Sequence, residues 1–148
     1  MVAVIRSSAK DLAVEAELMI KIANQTMHPH ILRLLWIEYD VSERVSMVAP
    51  IAPFGSMVDL ADHLEFEGLK VGPDHKRQAF AQALSAVLLL NSLGVDHGDV
   101  AARNLLVFHY HTYQPRLTDV RLCDFGDSKK GCTPASALCA LARELAGL

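Results

Sequence analysis

The chain has only three cysteines, Cys123, Cys132 and Cys139, and their spacing fits no zinc site. An odd set of thiols without a framework pattern reads as reduced side chains, so the expected location is cytoplasmic. Positive charge is also in short supply. Fourteen Lys and Arg stand against seventeen Asp and Glu, for a net charge of -3. That balance gives no reason to expect a nucleic-acid partner or an anionic membrane surface. Long apolar runs are missing too. The longest, "AVLLL" at 86–90, is far below a membrane span, and "MVAVIRSSAK" at the start is too weakly apolar for a secretory signal. No period repeats and no segment is low in complexity. What remains is a chain of 148 residues, 51% hydrophobic, long enough for one domain with a real core.

The pattern of apolar residues divides that domain. "VAVIR" (2–6) reads as a short buried strand. Ser8 and Asp11 have capping-box spacing, and Leu12, Ala16, Met19, Ile20 and Ala23 then recur at helical intervals. Residues 28–40 turn at Pro29 and continue as an expected strand, and 44–51 as another. Pro50, Pro53 and Gly55 break the pattern and mark a linker at 50–55. A short amphipathic helix is expected at 56–64 and a long one at 74–94, with Gly94 as its stop. Apolar residues cover most faces of the long helix from Ala79 onward, so it should be buried. Strands at 105–108 and 116–123 flank a polar turn at Gln114-Pro115, and the tail "PASALCALARELAGL" reads as helical. The class is α+β.

Polar chemistry concentrates in "HGDVAARNLLV" (97–107), where Asp99, Arg103 and Asn104 crowd against the start of a strand. A helix end with a turn and surface charge is the plain explanation; a catalytic loop is the sharper one. The second strand of the hairpin ends at Asp124. In an antiparallel pair the start of one strand lies beside the end of the other, which makes Asn104 and Asp124 neighbours. An amide oxygen beside a carboxylate is a hard donor set suited to Mg²⁺. Asp99, five residues before Asn104, reaches the same place from the loop. Such a cluster fits a metal-bridged phosphate next to a base.

"HGDVAARN" resembles the catalytic loop of protein kinases, and "CDFG" (123–126) resembles their metal-binding D-F-G motif. The "AAR" within the loop is the form typical of tyrosine kinases. "VAVI" is similar to the V-A-I-K strand, "VEAELM" to the C-helix, "HPHILRLL" to the strand after it, and "APFGSMVDL" to the hinge and the helix behind it. These matches stand in the family's order. The resemblance implies a protein-kinase-like fold holding a partial small lobe (1–49), a hinge (50–55) and the first half of the large lobe (56–148), cut short at both ends. It implies ATP and Mg²⁺ as cofactors and a protein hydroxyl, on tyrosine, as acceptor. Asp99 would take the proton of that hydroxyl, with Arg103 beside it. Asn104 and Asp124 would hold Mg²⁺. Ala49 would stand behind the adenine and Ala52 would offer it a backbone N–H. Glu15 matches the helix carboxylate that pairs with a lysine, and Phe125 would pack under that helix.

Several positions depart from the family pattern. The lysine of V-A-I-K falls on Ile5, and Arg6 belongs to the opposite face of a strand. Glu15 then reads as a solvated helix charge. The arginine of H-R-D is Gly98. No glycine-rich loop precedes "VAVI" and no A-P-E motif follows Gly126. The expectation is therefore a slow kinase or an inactive one, with a pseudokinase scaffold for a regulatory protein partner, or a non-functional gene fragment, as alternatives. His97 is expected to be a structural histidine satisfied by backbone. His109 and His111 could be two metal ligands or an exposed hairpin tip. Cys123 is either a modifiable thiol or a buried small side chain. The last helix either docks a partner or folds back on the helical core.

Overall fold

The structure is a computed structural model that describes the backbone of residues 2–39, 41, 44–114, 116–125, 129–130 and 134–148; side chains are described from residue 14 onward, Arg44, the Lys129–Lys130 pair and Pro134 excepted. A three-stranded antiparallel sheet opens the fold. Its strands β1 (Val2–Ser8), β2 (Trp36–Tyr39) and β3 (Arg44–Pro50) lie in the order β1-β3-β2. Ile5 is registered opposite Met47 and Arg6 opposite Ser46. The expected opposition of the Ile5 and Arg6 side chains, like the Ser8–Asp11 cap, lies outside the described residues. Helix α1 (Ala9–Gln25) follows β1 directly and buries Ala16, Met19 and Ile22; Ala16 and Met19 belong to the expected face, whereas Ile20 is exposed and Ile22 takes its place in the core.

The segment after α1 corrects the sequence reading. Residues 28–35 are not a strand; only Trp36–Tyr39 is. Pro29 sits in a turn, and the chain then lies along strand β6 (Arg116–Leu122). Leu122 N–H donates to His30 O at 2.9 Å, and Leu32 N–H donates to Leu122 O at 2.9 Å. The His30 ring adds a 2.9 Å bond from Nδ1 to Val120 O. These backbone groups are satisfied by a distant strand instead of a ladder of their own.

Helix α2 (Met57–Phe66) starts at a complete capping box, Ser56 with Asp59. Gly55 turns the chain into it with φ +67°, and a Cβ there would lie 2.5 Å from the Asp59 carboxylate. Helix α3 (Pro73–Ser92) ends before Gly94, whose φ is +72°. It is buried along one face, through Ala79, Ala83, Ala86, Val87 and Leu90. Leu88 is 52% exposed, so the helix is not enclosed on most faces as its composition implied. Alanines at three- and four-residue spacing let β6 approach closely. Gln82 exploits that approach, accepting from Val120 N–H at 2.8 Å and donating to Leu117 O.

Strand β5 (Leu105–His111) pairs with β6 as an antiparallel hairpin. Leu105 and Val107 on β5, and Leu117, Val120 and Leu122 on β6, are almost fully buried; the three-residue step from Leu117 to Val120 departs from strict alternation. The register slips at Val107/His109 and again at His109/Tyr110. His109 and His111 are exposed, and no group of three metal-ligating side chains exists among the described residues. A short pair, β4 (Val95–Asp96) with β7 (Lys129–Lys130), precedes the last helix, α4 (Pro134–Gly147). That helix folds back on the core. Leu141 and Leu145 are buried, and α4 packs against α3 and against the single 3₁₀ turn at Ala102–Asn104.

Truncating a fully buried leucine costs about 2–5 kcal/mol, partly as transfer and partly as cavity. Leu141→Ala should therefore lower the unfolding free energy by that amount in a urea titration. Leu138→Ala, on the half-buried flank of the same helix, should cost clearly less. Equal effects would mean that α4 is not docked along the Leu141 face.

Candidate active site

The polar loop is built on glycine and histidine. Gly98 adopts φ +81°, a left-handed backbone that an arginine would occupy only with strain. Its N–H is held by Asp96 at 3.2 Å. His97 is 2% exposed and bridges two segments. Its Nδ1 accepts from Asp99 N–H at 3.2 Å, which leaves Nε2 protonated to donate to Cys123 O at 2.8 Å. Burial holds its pKa below the ordinary histidine value, against the opposing pull of the Cys123 hydrogen bond and of Asp124, Asp99 and Asp96. The expected structural histidine is what the structure contains.

Asp99 is fixed by the next two polar side chains. Its Oδ1 accepts from Arg103 Nη2 at 2.6 Å, and its Oδ2 from Asn104 Nδ2 at 2.9 Å. The same Nδ2 donates to Asp99 O at 2.9 Å. Two acceptors on one amide nitrogen settle the orientation of the Asn104 amide. Its Oδ1 then carries no hydrogen bond from any described residue. Asn104 O accepts from Cys123 N–H at 2.9 Å, which sets residue 104 opposite residue 123 and one step from Asp124. The hairpin thus brings Asn104 and Asp124 together. Asp124 itself takes φ +62°, a left-handed conformation rare outside glycine and tolerated best by Asp and Asn. Strain of this kind collects at functional sites.

Glu15 corrects the reading of a solvated charge. Its Oε1 accepts from Phe125 N–H at 3.0 Å, across 110 residues. Burial pushes its carboxyl above the usual range, and the nearby Asp124 carboxylate pushes the same way, against the stabilising Phe125 bond. Phe125 is buried, with its ring edge-on to His97 at 4.8 Å. Burial first, then the Asp124 and Glu15 charges, push the Cys123 thiol up to about 12, which disfavours the thiolate.

On the linker side, Ala49 is buried and Ala52 sits in the following turn. Ala52 O accepts from Gly55 N–H at 3.1 Å, while its own N–H has no partner among the described residues. Sequence reasoning missed one group. Glu144, on α4, accepts from Ala102 N–H at 2.7 Å and so holds the loop from below. Its position three residues after Leu141 and one before Leu145 puts it at the edge of the buried face, the signal that was there to read.

The protein kinase domain model matches residues 4–140. The chain belongs to the protein kinase family. It is 30% identical over 109 residues to a serine/threonine-protein kinase SIK3 homolog of Danio rerio, a stretch covering 74% of this chain and 8% of that protein. It is 31% identical over 114 residues to serine/threonine-protein kinase SIK2 of Gallus gallus, covering 76% of this chain and 13% of the relative. A third relative, serine/threonine-protein kinase kin-29 of Caenorhabditis elegans, is 27% identical over 115 residues, 78% of this chain and 12% of its own length. The stretch this chain matches thus spans only about a tenth of the length of each of these proteins. All three are named serine/threonine kinases, against the tyrosine-kinase-like form read from Ala101–Arg103. The α+β fold read from the sequence is the kinase fold in part.

The donor set fits a hard cation. Asn104 Oδ1 and the Asp124 carboxylate are oxygen ligands of the kind Mg²⁺ takes, one or two per site, with phosphate and water completing the shell. A bound Mg²⁺ would supply charge neutralisation of the phosphates.

Two predictions test this electrostatic description. Glu15 has a raised pKa, so the folded state holds its proton more tightly than the unfolded state. The folded state therefore loses stability as pH rises from the unfolded value through the folded one. Glu15→Gln keeps an oxygen for Phe125 N–H and should remove that loss, matching or exceeding the parent at pH 7. Glu15→Ala leaves the N–H unmatched and should cost about 1 kcal/mol. Denaturant titrations at several pH values check both. His97 has the opposite sign. Its folded pKa is lowered, so stability is complete above about 6.5 and falls as the unfolded state takes up protons below that. His97→Phe strands Asp99 N–H and Cys123 O, at about 1–3 kcal/mol for each buried group. It should also flatten the acid limb of the pH profile.

Proposed function

We propose that this chain is the nucleotide-binding and catalytic-loop part of a protein kinase that transfers the terminal phosphoryl group of ATP, with Mg²⁺, to a serine or threonine hydroxyl of a protein substrate, slowly. In this reading residues 1–49 belong to the small lobe, 50–55 to the hinge and 56–148 to the large lobe. The observation that carries it is the Asn104 amide, whose nitrogen is spent on Asp99 and whose oxygen takes no hydrogen bond from a described residue, on the strand position opposite Cys123 and one step from Asp124.

The roles follow the chemistry of each group. Asn104 and Asp124 hold Mg²⁺. Asp99 orients the acceptor hydroxyl and takes its proton, while Arg103 steadies the carboxylate. Ala52 N–H faces the adenine edge, and Ala49, with no side chain beyond Cβ, leaves room behind it. Phosphoryl transfer asks for positioning and charge stabilisation more than covalent chemistry. The strand position that should hold the α- and β-phosphates with a lysine is Ile5. One missing charge-assisted contact of that kind costs about 3–4 kcal/mol of transition-state stabilisation, roughly a hundred- to a thousandfold in rate. The names of the relatives support a serine or threonine acceptor. Reduced thiols and the lack, among the described residues, of a helix able to cross a membrane are compatible with a cytoplasmic protein.

A second reading keeps the fold and drops the chemistry. Both Asp99 oxygens are engaged, by Arg103 and Asn104, and Ile5 replaces the lysine. Those two features favour a pseudokinase that binds a regulatory protein.

A thermal melt with Mg²⁺-ATP separates these readings. A ligand that binds only the folded state adds about 2.7 kcal/mol at a hundred times its Kd. The melt should rise with Mg²⁺-ATP, and Asp124→Asn should abolish the rise. Phosphate transfer to a serine-containing peptide should then be slow and should disappear in Asp99→Asn. A nucleotide-dependent shift with transfer that survives Asp99→Asn would refute the assignment of the base. No shift at all would favour the binding-module reading.

A further inference from the structure

A cavity of about 620 Å³ lies behind α1, apart from the cluster described above. Neither Asp99, Arg103, Asn104 nor Asp124 lines it. Its volume is that of a small-molecule site. The apolar part comes from Met19 and Ile22 of α1, Ile31 of the segment laid along β6, and Phe125. All four are buried, so this wall is set by the core and does not depend on mobile surface groups. The polar part is unevenly charged. Arg121 and Asp119 are bound to each other by two 2.9 Å bonds, and Arg121 also lies 4.0 Å above the Phe108 ring. That pair is internally neutral. His28, desolvated and beside His30, is held below its ordinary pKa. His30 is engaged by Val120 O. Arg33 also lines the cavity, and no carboxylate among the described residues pairs with it. The cavity therefore joins a packed apolar wall to one uncompensated guanidinium.

We propose that this cavity binds a small amphipathic anion, an aryl or alkyl carboxylate whose apolar body rests on Met19, Ile22 and Phe125 and whose charge pairs with Arg33. The complementarity is chemical: the wall rewards burial of apolar surface, and a planar guanidinium matches a carboxylate. Occupancy acts on the residue next to Asp124, because the face of Phe125 that lines the cavity belongs to the residue whose N–H Glu15 holds. Binding itself does not rest on the kinase chemistry.

The test uses the full chain without nucleotide, naphthoate as probe, and the corresponding neutral naphthyl alcohol as its control. The Phe125 amide signal, followed by heteronuclear NMR, should move saturably with naphthoate. Naphthoate should bind about two- to fivefold more tightly than the alcohol, the size expected of a solvent-exposed charge pair. Added salt should narrow the difference. Arg33→Gln should erase it while leaving alcohol binding intact. Ala23→Phe, which fills the cavity from α1, should abolish both. The proposal fails if no saturable shift occurs, if acid and alcohol bind equally, if the preference survives Arg33→Gln, or if a folded Ala23→Phe chain binds as before. Arg33 is exposed, so Arg33→Gln decides the matter even where Ala23→Phe does not fold.

Discussion

Everything at the candidate site hangs on one buried imidazole. His97 takes a hydrogen bond from the loop that carries Asp99 and gives one to the strand end that carries Asp124. A neutral imidazole is suited to this because it is a donor on one side and an acceptor on the other. No other side chain of that size offers both at that separation. Protonation would turn the acceptor into a second donor facing an N–H, which is why burial and a lowered pKa accompany the geometry. The imidazole also supplies the ring against which Phe125 packs, and Phe125 N–H in turn reaches Glu15. A single neutral group thereby ties the loop, the hairpin and α1 into one unit.

The charges around it are mostly negative. Asp99, Asp96 and Asp124 surround His97, Asp124 also lies near Glu15, and Arg103 pairs with Asp99. In kinases of the common pattern a lysine would answer Glu15; here the corresponding strand residue is Ile5. Glu15 has consequently become a backbone ligand. Its role in holding Phe125 needs an oxygen and no charge, while its charge carries a desolvation cost. The proximity of Asp124 and Glu15 raises the cost of charging Glu15, and no lysine at position 5 is there to lower it.

The hairpin and its polar ends were legible because strand alternation and the Asp99-x₄-Asn104 spacing are local signals. Leu105, Val107, Val120 and Leu122 declare an inward face, and antiparallel pairing does the rest. The segment at 28–35 was not legible. Its apolar residues mimic a strand, yet its partner is β6, some ninety residues away in sequence, and no local pattern encodes that pairing. The one-sided burial of α3 was hidden for a related reason: alanine and leucine at successive positions look equally apolar, and only packing decides that the small ones face β6. Glu15 looked solvent-bound because its partner is a backbone N–H, which has no identity in a sequence. The A-A-R order is the tyrosine-kinase form, while the relatives carry serine/threonine names. Three residues of loop carry little information about an acceptor.

The bond from Glu144 to Ala102 has a temporal side. It spans 42 residues, and the ribosome makes its acceptor after its donor. At synthesis rates of about 5–20 residues per second, roughly 2–8 s separate the two. Until α4 is made, the loop lacks its Glu144 acceptor and α3 lacks the helix that packs against it. The docking of one late-made helix therefore supplies two missing partners together, the acceptor for Ala102 N–H and the packing partner of α3.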